Sequence, residues 1–167
     1  MTKGDNIVPL RASPDSLASK LLTVANFWRR SGNAYYRKHF RVSITEVRIL
    51  TLVEARAPIS LNAMAAHCGI DKTQASRAVK ELVRRKLLVH NKSARSGPIG
   101  LSLDQNGAAM CRKLRPAIEA RLKLLVGNAN HGELEVIEQV LDRLLRNARD
   151  SLNAAEAAPK PRKAVSS

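Results

Sequence analysis

The architecture of this chain turns on residues 60–86, S-L-N-A-M-A-A-H-C-G-I-D-K-T-Q-A-S-R-A-V-K-E-L-V-R-R-K. Apolar residues at helical spacing from Leu61 to His67 predict a short helix, with Ser60 or Asn62 as its cap. Gly69 then supplies the positive φ that a sharp turn needs. Asp71 caps a second helix, and Gln74 at the third helical position completes D-x-x-Q. That helix is predicted to reach about Arg85. Ala75, Ala78, Val79 and Leu82 turn inward, leaving Lys72, Gln74, Arg77, Lys80 and Arg84 outside. A short helix, a glycine turn and a second capped helix are the parts of a helix-turn-helix.

The flanks support this reading. Two β-like runs, Leu87–Asn91 and Ile99–Leu103, are joined by K-S-A-R-S-G-P and predict a small hairpin, the wing. Upstream, Ser43 and Glu46 form an S-x-x-E capping box, with Val42 and Val47 at the two positions of a hydrophobic staple. Val47, Leu50 and Val53 give that helix an apolar face, and Ala57-Pro58 ends it. Ser16 or Asp15 caps a first helix running to about Lys38, with Leu17, Leu21, Val24, Trp28 and Tyr35 at helical spacing. After the hairpin, Asp104 caps a long helix through Gly127, which Pro116 is expected to kink. Asn130 and Glu133 start a last helix ending near Leu152, striped by Leu134, Ile137, Leu141, Leu144 and Leu145. The expected fold is mainly α with a small β-hairpin wing: a winged helix-turn-helix with terminal dimerisation helices. Residues 1–14 read as a loose N-terminus, 15–42 and 104–152 as the helical dimerisation region, 43–103 as the DNA-binding domain, and 153–167 as a loose basic tail.

The 167 residues suffice for one domain with a real core. Apolar residues make up 44 % and charged residues 26 %, a globular rather than disordered composition. No apolar run approaches the ~20 residues needed to span a bilayer, and no secretory signal is evident, so the expected location is the cytoplasm. The formal charge of +15 points to a polyanionic partner. Within the motif, Lys72, Arg77, Lys80, Arg84, Arg85, Lys86, Lys92 and Arg95 face only Asp71 and Glu81, so the charge gathers where the motif needs it. The first turns of the second helix offer Lys72, Thr73, Gln74, Ser76, Arg77 and Lys80 to a major groove. Arg can fork onto guanine O6 and N7, and Gln onto adenine N6 and N7. Lys92 and Arg95 at the wing tip would meet phosphate or the minor groove. No glycine-rich phosphate loop, G-x-S-x-G or placed carboxylate pair argues for an enzyme. The dispersed histidines and two cysteines show no zinc spacing, so neither metal nor cofactor is expected.

With these parts in place, the sequence resembles the multiple-antibiotic-resistance regulator (MarR) family. The stretches that carry the resemblance are I-S-L-N-A-M-A-A-H-C-G-I-D-K-T-Q-A-S-R-A-V-K-E-L-V-R-R-K-L-L-V and L-S-L-D-Q-N-G. The likeness covers about residues 16–152. It implies a dimer interface built from the first, fifth and sixth helices, and a double-stranded, roughly palindromic operator often released by a small ligand. Gln74 and Arg77 match the family's base-contacting positions. The family's wing usually carries Asp-x-Arg, whereas this loop has Lys92, Arg95 and Gly97-Pro98. Lys86 stands where members commonly have Gly.

A homodimer also follows from the apolar terminal stripes, since leaving them wet would forfeit roughly 1.5–3 kcal/mol per side chain. All five aromatics, Phe27, Trp28, Tyr35, Tyr36 and Phe40, fall close together. They either pack the first helix into the core or help hold a small aromatic acid. In the second reading Trp28, Arg29, Tyr36, His39 and Arg48 form the ligand site, with cations on the carboxylate and rings on the apolar body. Cys68 and Cys111 read as small core residues or oxidant sensors. The main functional expectation is a sequence-specific dimeric transcriptional repressor released by a ligand. The alternative is a non-specific architectural or RNA-associated basic protein without an effector.

Overall fold

A computed structural model describes residues 15–91 and 100–157. Along these the order is α1 (Leu17–Phe40), α2 (Ile44–Arg56), α3 (Leu61–Cys68), α4 (Lys72–Arg84), β1 (Leu88–Asn91), β2 (Gly100–Leu103), α5 (Gln105–Val126) and α6 (His131–Ala157). No helix among these residues is long and apolar enough to cross a membrane.

The core is built around α2. Its start is fixed twice over. The Ser43 hydroxyl accepts the Glu46 N–H at 3.2 Å, while the Ser43 N–H donates to Glu46 Oε2 at 2.6 Å, closing the expected capping box. Val42 and Val47, the staple pair, are both buried. The next orphan donor, the Ile44 N–H, is met from α1 by Asn33 Oδ1 at 2.9 Å. Ile44, Val47, Ile49, Leu50, Leu52 and Val53 are buried, more of the helix surface than the one expected face. The reason is that α2 is covered by α1, α3, α4 and β2 together. Among the described residues no polar or charged side chain is fully buried.

β1 and β2 pair antiparallel, with Leu88 opposite Leu103 and Asn91 opposite Gly100. Sequence periodicity misses a third member. Ile59, just after the Ala57-Pro58 peptide, donates its N–H to the Leu101 carbonyl at 3.2 Å and accepts the Leu101 N–H at 2.9 Å. One residue of ladder ties the end of α2 to the hairpin. It is too short to show as a strand pattern.

α5 begins hard against β1. Gly107 is buried there because a Cβ at that position would lie 2.0 Å from the Leu87 carbonyl oxygen. Gly107, Cys111, Leu114 and Ala117 make the buried stripe of α5, at helical spacing. The helix continues through Pro116 as one element.

The chain divides into two compact units within α5, between Ala117 and Ile118. In the second unit, α5 ends at Gly127, in the left-handed conformation at φ 59°. Asn130 and Glu133 then form a second reciprocal capping box at 2.8 and 3.0 Å. α6 passes the expected end near Leu152 and includes residues 153–157, a correction to the loose tail expected from 153 onward. Ala154, Ala155, Glu156 and Ala157 are strong helix formers, and no Gly or Pro intervenes before Pro159. α6 has no buried residue, and Val136, Ile137, Leu141, Leu145 and Leu152 are exposed.

Candidate nucleic-acid interface

α3 and α4 pack on each other across a turn at Gly69. Ser60 caps α3 by accepting the Ala63 N–H at 3.2 Å. Gly69 sits at φ 59°, and the Gly69 and Ile70 N–H groups donate back to the Ala66 and Ala65 carbonyls. Left-handed backbone at the helix end is what reverses the chain so tightly. Asp71 Oδ1 then accepts the Gln74 N–H at 2.8 Å and fixes where α4 begins.

The two faces of α4 separate cleanly. Ala75, Val79 and Leu82 are buried and anchor the helix, while Ala78 is half-buried. At about 100° of rotation per residue, Thr73, Arg77, Lys80 and Arg84 cluster within about 60° on the opposite side. All four are exposed. Gln74 flanks Arg77 and is exposed; Ser76, on the other flank, is half-buried; Lys72 is exposed at the first turn. Thus the structure brings Lys72, Thr73, Gln74, Ser76, Arg77 and Lys80 onto one helix, with Arg77 and Lys80 on its outer face and Lys72 exposed at its start. Lys92 and Arg95 lie outside the described residues, as do Gly97 and Pro98.

Sequence reasoning left three features of this surface unread. Arg84 lies on the outer face, as its spacing predicts, but its pairing with Glu81 was unread. Its Nε and Nη2 donate to the two carboxylate oxygens of Glu81, at 2.8 and 2.7 Å. This hydrogen-bonded fork holds the Glu81 carboxyl below the usual range and raises the Arg84 guanidinium. The i, i+3 spacing of Glu81 and Arg84 was the signal that could have suggested the pair. Next, the Arg85 guanidinium reaches Glu46 Oε1 at 3.6 Å, so the residue that closes the α2 capping box also meets the end of α4. Finally, Lys86 stands at φ 55°, with its N–H on the Val83 carbonyl and the Leu87 N–H on the Leu82 carbonyl. This is a Schellman closure made by a lysine.

A helix-turn-helix followed by a hairpin and then a long helix is the winged-helix arrangement. Residues 42–97 match the family model described as MarR family. Over this winged-helix segment the chain is similar to the MarR family. Members of the MarR family are DNA-binding transcriptional regulators, not enzymes.

Solved structures agree on the fold. A MarR/EmrR family transcriptional regulator from Acinetobacter sp. ADP1 is similar at TM-score 0.76 and 23% identity, over 80% of this chain and 94% of that one. S. aureus MepR, solved in complex with DNA, gives 0.69 and 14%, over 80% and 96%. Apo MarR from E. coli gives 0.63 and 18%, over 77% and 96%. Identities this low speak for the fold alone. The search of curated proteins returned no match.

The side chains expected to hold an effector fall on α1 and α2. Tyr36 is only 3% exposed and packs its ring edge-on to Tyr35 at 5.5 Å, with Phe40 at 6.2 Å. It therefore serves the core. His39 lies over Tyr35 at 4.6 Å and is exposed, as are Arg29 and Arg48, whereas Trp28 is half-buried. Phe27 is 64% exposed and stands apart from core packing. Both cysteines are free and buried. Burial pushes the Cys68 thiol up, against a smaller opposing pull from Arg48. Burial, helped by the Glu54 carboxylate, pushes Cys111 to about 11. Both stay protonated and shielded at neutral pH, the opposite of what a reactive sensor needs.

Proposed function

We propose that this chain is a regulator of the MarR type that acts as a homodimer and reads a pseudo-palindromic operator with α4 of each subunit. One observation carries the reading: a helix capped by Asp71 and anchored by Ala75, Val79 and Leu82 presents Thr73, Gln74, Arg77 and Lys80 to solvent. Arg77 and Gln74 are the base-reading groups, by the forks that guanine and adenine accept. Lys72, Thr73, Ser76 and Lys80 position the helix on phosphates. Lys92 and Arg95 extend the contact as a wing. Two-fold pairing would set the reading helices roughly 34 Å apart, one turn of the duplex.

Repression and release by a small ligand belong to the same proposal. Half-buried Trp28 and exposed Arg29, His39 and Arg48 are the groups that an aromatic acid would engage. For release, the ligand must bind the DNA-incompetent arrangement better than the competent one. The cytoplasm is the proposed location.

The deciding experiment is competition between a fragment from upstream of the protein's own gene and random duplex. The wild type is expected to prefer the upstream fragment. Arg77→Ala is expected to lose about tenfold or more of that preference, the worth of one forked base contact. Equal affinity of the wild type for both duplexes would replace this reading with that of a non-specific basic protein, which the +15 charge would also serve.

A further inference from the structure

We infer that Glu81 restrains non-specific DNA binding by holding the Arg84 guanidinium in an internal fork. The inference rests on the proposed placement of α4 against the duplex. Arg84 is on the outer face, one turn from Lys80 and two from Arg77, where an unencumbered cation would add a phosphate contact on any sequence. It is not unencumbered. Nε and Nη2 are both given to Glu81, at 2.8 and 2.7 Å, and the pair is exposed. A planar guanidinium offers the same edge to a phosphate or a guanine as it offers here to a carboxylate. Arg84 can therefore contact the duplex through that edge only by exchanging partners.

The neighbouring charges make this pairing selective. Arg85 is directed to Glu46 at 3.6 Å and does not share the Glu81 fork. Glu81 is the only acid within α4. Its position, between Gln74 and Arg77 in rotation about the helix axis, puts the carboxylate beside the reading face. Lys72, Arg77 and Lys80 are the other cations of that helix, and they remain for the duplex. The consequence is selective. Base contacts by Gln74 and Arg77 are unaffected, while the sequence-independent attraction common to all duplexes is lowered by one cation. The ratio of specific to non-specific affinity rises.

The test measures binding of Glu81→Gln, Arg84→Ala and the double variant to a random duplex and to the upstream fragment, across a potassium chloride series. All substituted groups are exposed, and circular dichroism checks that each variant is folded. Glu81→Gln is expected to tighten random-duplex binding about fivefold and to steepen the salt dependence by about 0.9, one phosphate contact. In the Arg84→Ala background the same substitution is expected to change affinity less than about twofold and leave the slope alone. An equal gain with and without Arg84 would reduce Glu81 to bare repulsion, and no gain at all would remove it from binding; either overturns the inference. Arg77→Ala run in parallel separates the two levels. If it keeps the wild-type preference for the upstream fragment, the groove reading itself fails. If it loses that preference while Glu81→Gln is silent, only the restraint by Glu81 fails.

Discussion

Lys86 holds the left-handed conformation at φ 55°, where an L side chain costs roughly 1–2 kcal/mol and glycine costs nothing sterically. The Schellman bonds of Lys86 and Leu87 hold the backbone there regardless, because they close the end of α4 and turn the chain into β1. The lysine side chain is exposed, so removing it sacrifices no packing. Glycine gives back part of the gain through the extra freedom of the unfolded chain. The net expectation for Lys86→Gly is a gain of about 0.5–1 kcal/mol, read as a higher denaturant midpoint at unchanged slope. A lower midpoint would show that the lysine makes a compensating interaction.

Among the elements, the join between α5 and the hairpin is the tightest. Gly107 lets the first turn of α5 approach the Leu87 carbonyl, which also accepts the Asp104 N–H at 3.1 Å. Gly107→Ala sets two effects against each other. Helix propensity favours alanine by about 1 kcal/mol. The added methyl would sit 2.0 Å from a backbone oxygen, with Leu103 Cδ2 at 3.3 Å on another side. A backbone oxygen held by the Asp104 N–H just before β1 cannot swing away as a side-chain end can, so overpacking of about 1–3 kcal/mol or more wins. The variant is expected to melt several degrees lower. An unchanged or higher melting temperature would mean that α5 can slide off β1 without cost.

The molecule as a whole leaves apolar surface without a partner. The first half of α1 exposes Leu17, Leu22, Val24 and Phe27; the second unit exposes Leu124, Val136, Ile137 and Leu145. A cleft lined by Ala129, Gly132, Val136 and Ile137 opens at the turn between α5 and α6. Burying such side chains is worth roughly 1.5–3 kcal/mol each, enough for a handful to outweigh the cost of association. Sedimentation of the wild type at micromolar concentration is expected to give two chains per particle. Leu141→Glu, on the exposed stripe of α6, is expected to shift it toward single chains and to weaken operator binding far more than random-duplex binding, since only paired heads span both half-sites. Wild-type protein that sediments as one chain would end the dimer proposal.

Local chemistry made much of this legible in the chain. The S-x-x-E at Ser43, D-x-x-Q at Asp71 and the Asn130–Glu133 pair marked helix starts because capping is a contact within three residues. Periodicity separated the buried and outer faces of α4 for the same reason: a helix is a short-range object. Wherever distant segments meet, the sequence was silent. It could not show that Ile59 bridges to Leu101, that Tyr36 is sealed in the core, that Arg85 turns to Glu46, or that Gly107 marks a backbone contact with Leu87. Nor could it show that Arg84 is already engaged by Glu81, since spacing allows such a pair without requiring it. Hydrogen bonds and apolar stripes repeat along a chain and can be read from it, whereas the partner of each buried face and each charged group is chosen only when the elements pack.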